Sequence, residues 1–305
     1  MDLDDIFTKK NITESSKNLY VKNLTRLNGG HPIKDLKFLA DEVSVIEGLN
    51  QKYKPNTVRS YVISIVSLLK CIDDKKAQKM YAKYYPYLEA LNKSLKENNT
   101  KTEKETENWI SQDDVKAKFG SLCPIVGTLQ KKKKITGEEW SELFNCLVLG
   151  LYTLQAPRRN ADYQKMIVLK KNQPEILEKM NVLDLDKNKF LFSNYKTKGT
   201  YKIQEVDINP ELRTIIDLYL KFHPLKKDLK VGFPLLTDFE GRPYANNNDM
   251  TRILHKIFDK KIGSSMLRKI FLTDKYKDTM DDMKEDAQKM GSSTETFQNQ
   301  YIKKD

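Results

Sequence analysis

The sequence is poor in the residues that build metal centres and disulfide frameworks, with three cysteines and three histidines in 305 residues. Cys71, Cys123 and Cys146 make an odd count without metal-like spacing, so they read as reduced, packed thiols of an intracellular protein. His31, His223 and His255 are scattered, and neither a metal site nor a cofactor is expected. No apolar run approaches a membrane span, so no membrane partner is expected. The opening "MDLDDIFTKKN" carries neither the apolar stretch of a signal peptide nor an Arg-rich transit pattern. Internal repeats are also missing. What is present, 39% hydrophobic and 10% aromatic residues, suffices for a folded chain with two ordinary cores.

The charge is one-sided. A formal net charge of +12 and a pI of about 9.2 suit a polyanionic partner, and nucleic acid is the commonest one. A lysine-rich composition alone does not establish it.

Helical rhythm fills the first 93 residues. "SSKNLYVKNLTRL" opens on a serine pair able to cap, and "DLKFLADEVSVIEGL" repeats the apolar spacing. "KPNTVRSYVISIVSLLKCI" starts at a proline and aligns Val58, Val62, Ile65, Leu68 and Leu69 on one face. "KAQKMYAKYYPYLEALNKSLKE" reads as a further helix. Residues 1–93 are therefore expected to form a small helical domain. Residues 94–106 form a polar linker with no large apolar residue after Leu95, and 107–305 form a second domain. There, Ser111 before Gln112, Asp113 and Asp114 marks a helix start, "KKKK" at 131–134 a basic loop, and "GEEWSELFNCLVLGLYTL" a central apolar helix. Alternation around "TKGT" argues a β-hairpin, with Phe190 and Phe192 before the turn and Val206 and Ile208 after it. Helical text follows to the end. The fold class is mainly α with one hairpin.

Five stretches of the second domain carry chemistry-bearing residues: Arg158 and Arg159 in "APRRNAD", Lys196 and Lys198 in "NYKTKG", Arg268 in "SSMLRKIF", Ser292 in "KMGSST", and Tyr301 in "NQYIKKD". Singly, each has an ordinary structural explanation, as a cap, a solvated turn, a salt bridge or packing.

Taken in order, these residues resemble the tyrosine recombinase (integrase) family. Arg159 with Asp162 fits the family's Arg-x-x-Glu/Asp context, with Arg158 one residue out of register. Lys196, in a Lys-Thr pair, fits the hairpin lysine ahead of Lys198. Ser265-Met-Leu-Arg268 stands where the family has His-x-x-Arg. Ser292 stands at the usual His or Trp position, nine residues before Tyr301 at the nucleophile position. The resemblance covers nearly the whole chain, with residues 15–93 similar to a core-binding domain and 107–305 to a catalytic domain that together clamp DNA. In texture it is most similar to integrases of large DNA viruses, virophages and related mobile elements, which would place its action in a host cytoplasm or nucleus.

The resemblance implies attack by the tyrosine oxygen on a backbone phosphate, giving a 3′-phosphotyrosyl link and a free 5′-hydroxyl, with no metal or ATP. Arg159 and Arg268 would hold the non-bridging oxygens through planar guanidinium forks. Lys196 would protonate the leaving oxygen. A free phenol titrates near about 10, so Tyr301 would need the cationic field to lose its proton. Ser265 and Ser292 depart from the pattern, since serine can hydrogen-bond a phosphate but cannot accept a proton near neutrality as imidazole can. Only "IKKD" follows Tyr301. The resemblance also implies a tetramer synapsed on two duplexes. Two other readings remain open: a DNA-binding relative without catalysis, favoured by the two serines, and a type IB topoisomerase-like enzyme acting as a monomer. Basic faces of the "TVRSYVISIVSLLK" helix and the "KKKK" loop are the expected phosphate contacts.

Overall fold

An apolar stripe at three- and four-residue spacing organises the first unit, Met1–Lys101. The computed structural model describes residues 1–8, 12–97, 100–244, 246 and 248–294. In the first unit these form α1 (Leu3–Thr8), α2 (Glu14–Leu27), α3 (Glu42–Lys52), α4 (Pro55–Cys71) and α5 (Lys75–Glu97). Helix α4 starts with Pro55 in its first turn and buries Val58, Tyr61, Val62, Ile65, Leu68 and Leu69. Those positions face one way at 3.6 residues per turn, so α4 is the axis on which α2 and α5 pack. A polar peg crosses this core, where Asn23 of α2 donates to the Ser64 hydroxyl of α4 at 3.0 Å. The cap of α2 is Thr13, accepting from the Ser16 amide, just ahead of the serine pair that the sequence suggested. Regular structure also enters the segment expected to be linker. Helix α5 runs to Glu97, and α6 (Glu103–Asn108) starts at a capping box between Thr102 and Glu105.

The second unit, Thr102–Asp305, is built around one helix. Its helices are α6, α7 (Gln112–Leu122), α8 (Pro124–Leu129), α9 (Gly137–Thr153), α10 (Asn160–Gln164), α11 (Pro174–Leu177), α12 (Lys198–Tyr201), α13 (Pro210–Phe222), α14 (Asp249–Phe258) and α15 (Ser264–Lys289). As the sequence indicates, Ser111 caps α7 in a box with Asp114. Helix α9, capped by Thr136 and Glu139, is apolar around its circumference from Cys146 to Tyr152 and is buried throughout that stretch. At Gly150 a Cβ would sit 3.3 Å from both Leu212 and Phe119, so the absence of a side chain is what lets α7 and α13 approach α9.

The expected hairpin exists but belongs to a five-stranded sheet. Strands β1 (Ile167–Leu169), β2 (Val182–Asp184), β3 (Lys189–Phe192), β4 (Gln204–Asp207) and β5 (Phe233–Pro234) lie in the order β4-β3-β2-β1-β5. Only β1 and β2 pair in parallel; the other neighbours are antiparallel. Phe190 faces Val206 and Phe192 faces Gln204. The turn around "TKGT" is not tight: residues 193–203 join the strands and contain α12. The second unit is therefore mainly helical with a small mixed sheet. Among the described residues no helix is long and apolar enough to cross a membrane, and all three cysteines are free thiols.

His223 follows α13 and is 1% exposed, packed against Trp140, Tyr219 and Phe233. Its Nδ1 accepts from the Leu225 amide at 3.2 Å, which leaves Nε2 to carry the proton 3.3 Å from the Thr237 hydroxyl. Burial lowers its pKa from 6.5 to about 4. Between those values the unfolded chain binds a proton that the folded chain refuses. Stability is thus expected to fall as pH drops from 6.5 toward about 4, by up to about 3 kcal/mol. Urea unfolding across this range tests it: His223→Gln should show a shallower slope, whatever its absolute stability.

Candidate functional site

The segment between α9 and α10 turns a half-buried pair of arginines in two directions. Arg158 folds back, its Nε 3.0 Å from Asp162 Oδ2 and one Nη donating to the Gln204 Oε1 at 2.9 Å. Its guanidinium lies 3.7 Å over the Phe192 ring. Arg159 stands at the N-cap of α10 in an extended conformation, and its side chain makes no capping bond. Its guanidinium has no hydrogen-bond or ion-pair partner among the described residues. The acid of "RRNAD" therefore belongs to Arg158, and Arg159 is left free. Burial pushes the Asp162 carboxyl up, against the opposing pull of Arg158 first and Arg159 next.

Arg159 and Arg268 line a single cavity of about 260 Å³, shared with Arg158, Asp162, Tyr195 and Tyr201. Arg268 rises from the second turn of α15, where Leu267 and Ile270 anchor the helix in the core. It too is without a partner among the described residues. Two unpaired guanidiniums on one cavity repel each other and hold counter-ions, so the arrangement is matched to an anion.

The β3–β4 connection forms another wall. It is anchored by buried Asn181, which donates to the Asp162 carbonyl at 2.8 Å and to the Asn194 carbonyl at 3.0 Å, and accepts from the Ser193 and Asn194 amides. Farther along, the Tyr195 hydroxyl donates to the Lys202 carbonyl at 2.6 Å. Lys202 sits at φ 54°, a conformation that costs a residue with a side chain about 1 kcal/mol or more. Within this clamp Tyr195 and Thr197 face the cavity, and exposed Lys196 lies between them in sequence. Lys196 has no partner among the described residues, while Lys198 has moved on to start α12.

The remaining candidates are placed elsewhere. Ser265 is exposed at the start of α15 and faces a different cavity from Arg268. Ser292 lies past the far end of α15, where its amide donates to the Ala287 carbonyl at 2.8 Å and Gly291 takes φ 64°. That is a left-handed glycine stop with the six-to-one hydrogen bond typical of helix ends. By helix rise it begins about 30 Å along the axis from Arg268, so the two are not brought together. Tyr301 lies outside the described residues. Tyr195 and Tyr201, which line the cavity, are not signalled in the sequence, because single aromatic residues in a polar connection carry no periodic signal.

Of the basic positions expected to meet DNA, Arg59 is tied to Asn92 and Lys132 to Glu139. Lys131, Lys133 and Lys134 are exposed ahead of α9 without a partner among the described residues. No cluster of three or more metal-ligating side chains occurs among the described residues. Compared with family models, curated proteins and solved structures, the chain matches none.

Proposed function

We propose that the chain is a site-specific DNA recombinase of the tyrosine type, which cleaves and rejoins strands through a 3′-phosphotyrosyl intermediate. The observation that carries the reading is the pair of unpartnered arginines, Arg159 and Arg268, on one cavity walled by the Lys196 connection. A phosphodiester seated there gains two charge-assisted forks that grow stronger as charge develops on its non-bridging oxygens. Lys196, on a hydrogen-bonded but exposed loop, is suited to protonate the departing 5′-oxygen. Tyr301 supplies the nucleophile, and its proton leaves into a field already biased positive. Ser265 and Ser292 have no part in this account, because neither shares the arginine cavity.

Helix α15 bears on how the nucleophile arrives. It runs unbroken to Lys289, and Tyr301 is 12 residues further. Such a tail spans at most about 40 Å when fully drawn out, against roughly 30 Å of helix to retrace. Reaching the cavity of the same chain would take about three quarters of that span; the alternative is exchange of the tyrosine between copies synapsed as a tetramer on DNA, inside a cell.

A DNA-binding relative without catalysis is the second reading, favoured by serine at both positions where a base is usual. Covalent trapping decides between them. Nicked duplexes carrying candidate attachment sequences are incubated with wild type and Tyr301→Phe, then run on a denaturing gel. A slow protein–DNA band present only in the wild type is expected. Equal, salt-sensitive duplex binding by both proteins, with no band from either, establishes the silent binder instead.

A further inference from the structure

The start of α15 faces a second cavity, of about 340 Å³, lined by Lys104, Thr251, His255, Lys261, Ser264 and Ser265, and by the Glu105–Lys269 ion pair. The N-cap of this 26-residue helix is Gly263, which has no side chain to offer. The Met266 and Leu267 amides bond the Gly263 carbonyl, whereas the Ser264 and Ser265 amides have no acceptor among the described residues. Orphan amides at the positive end of a long helix favour an anion. An independent sign comes from the Ser264 side chain. The residue is only 8% exposed and lines the cavity, yet its hydroxyl has no partner among the described residues. With no protein acceptor, the hydroxyl is left to the cavity, where it can donate to an anion.

Charge points the same way. Lys104 and Lys261 are exposed at the rim with no carboxylate partner among the described residues. The one acid, Glu105, is committed to Lys269 and to the Thr102 amide. Two links connect the cavities. Asn160, beside Arg159, donates to the Thr251 hydroxyl at 3.0 Å, and Ser264 precedes Arg268 by one helical turn, about 6 Å of rise.

We propose that this cavity is a second phosphate subsite, formed by the Ser264 and Ser265 amides, the Ser264 hydroxyl, Lys104 and Lys261. It seats a non-scissile phosphodiester close along the strand from the one held by Arg159 and Arg268, and so fixes the register of the DNA. The identity of the anion rests on the recombinase reading; the existence of the subsite does not.

Two measurements separate those claims. In the first, inorganic phosphate is titrated into the protein while amide resonances are followed. The Ser264 and Ser265 signals are expected to move together and saturate. Ser265→Asp, an exposed change that suits a helix N-terminus, should abolish the response. Unmoved amides in the wild type overturn the subsite. The second is duplex affinity against salt for wild type and the Lys104→Gln/Lys261→Gln double variant, both positions being exposed. The variant is expected to bind several-fold more weakly, its log–log slope reduced by about one to two. An unchanged slope overturns the proposal while DNA binding stands. If the wild type binds no duplex, the recombinase reading falls, and the phosphate titration alone still supports or overturns an anion site.

Discussion

Arg159→Ala and Arg268→Ala are each expected to slow strand cleavage by about three orders of magnitude, or roughly 4 kcal/mol of transition-state stabilisation. Both should unfold at close to the wild-type midpoint. The two halves of this expectation have one cause. Neither guanidinium has a partner among the described residues, so truncation orphans no buried carboxylate or carbonyl. What the proposed chemistry would lose is the fork aimed at the phosphate, an interaction that would strengthen only as the phosphorus becomes crowded and charged. Lysine at either position keeps the charge but not the planar pair of donors, so it should recover only part of the rate. Single-turnover cleavage of a nicked duplex at saturating protein measures this without contribution from binding. Cleavage at wild-type rates by either variant would remove the cavity from the chemistry.

How far these assignments could be read from sequence depends on the signal each residue leaves. Helices α4 and α13 were legible because a buried stripe must recur at 3.6 residues, and α9 because its apolar run is too long for a strand. The sheet was mostly hidden. Strands β1 and β2 have three residues each, and β2 is buried at every position, so no alternation marks them. The β3–β4 pair showed through because Phe190 and Phe192 precede a polar stretch and Val206 and Ile208 follow it, but the α12 turn inside the connection has no apolar face to announce it. Within the site, "PRRNAD" contains the right acid and arginines, yet spacing cannot say which arginine folds back. That choice is made in three dimensions by Phe192 and Gln204, both far along the chain. Ser292 is marked in the sequence only by its nine-residue spacing to Tyr301. Its neighbour Gly291 instead marks where a 26-residue helix stops, a role that the same residues serve without any chemistry. Ser264 left no trace at all, since its meaning comes only from its burial beside orphan amides.

Arg158→Ala is expected to do the opposite of its neighbour, destabilising the second unit by about 3 kcal/mol or more. Arg158 ties α10 to the sheet through Asp162, Gln204 and the face of Phe192. The Asp162 side chain is only 4% exposed, and burial already drives its carboxyl upward against the arginine's pull. Without Arg158 that carboxylate stays buried with its main counter-charge gone, and its pKa in the folded state rises further. The sign of the pH dependence follows. A raised carboxyl binds its proton more tightly folded than unfolded, so the deficit is fully present above the folded pKa and shrinks as pH falls through it. Denaturant melts of wild type and Arg158→Ala should therefore diverge most near neutrality and converge toward acid. Asp162→Asn in the Arg158→Ala background removes the stranded charge and should restore a large part of the loss even at neutral pH. Strict additivity of the two substitutions in that cycle would mean that Arg158 stabilises the fold through Gln204 and Phe192 without Asp162. Adjacent arginines would then differ in what each supports: Arg158 the site's frame, Arg159 the phosphate within it.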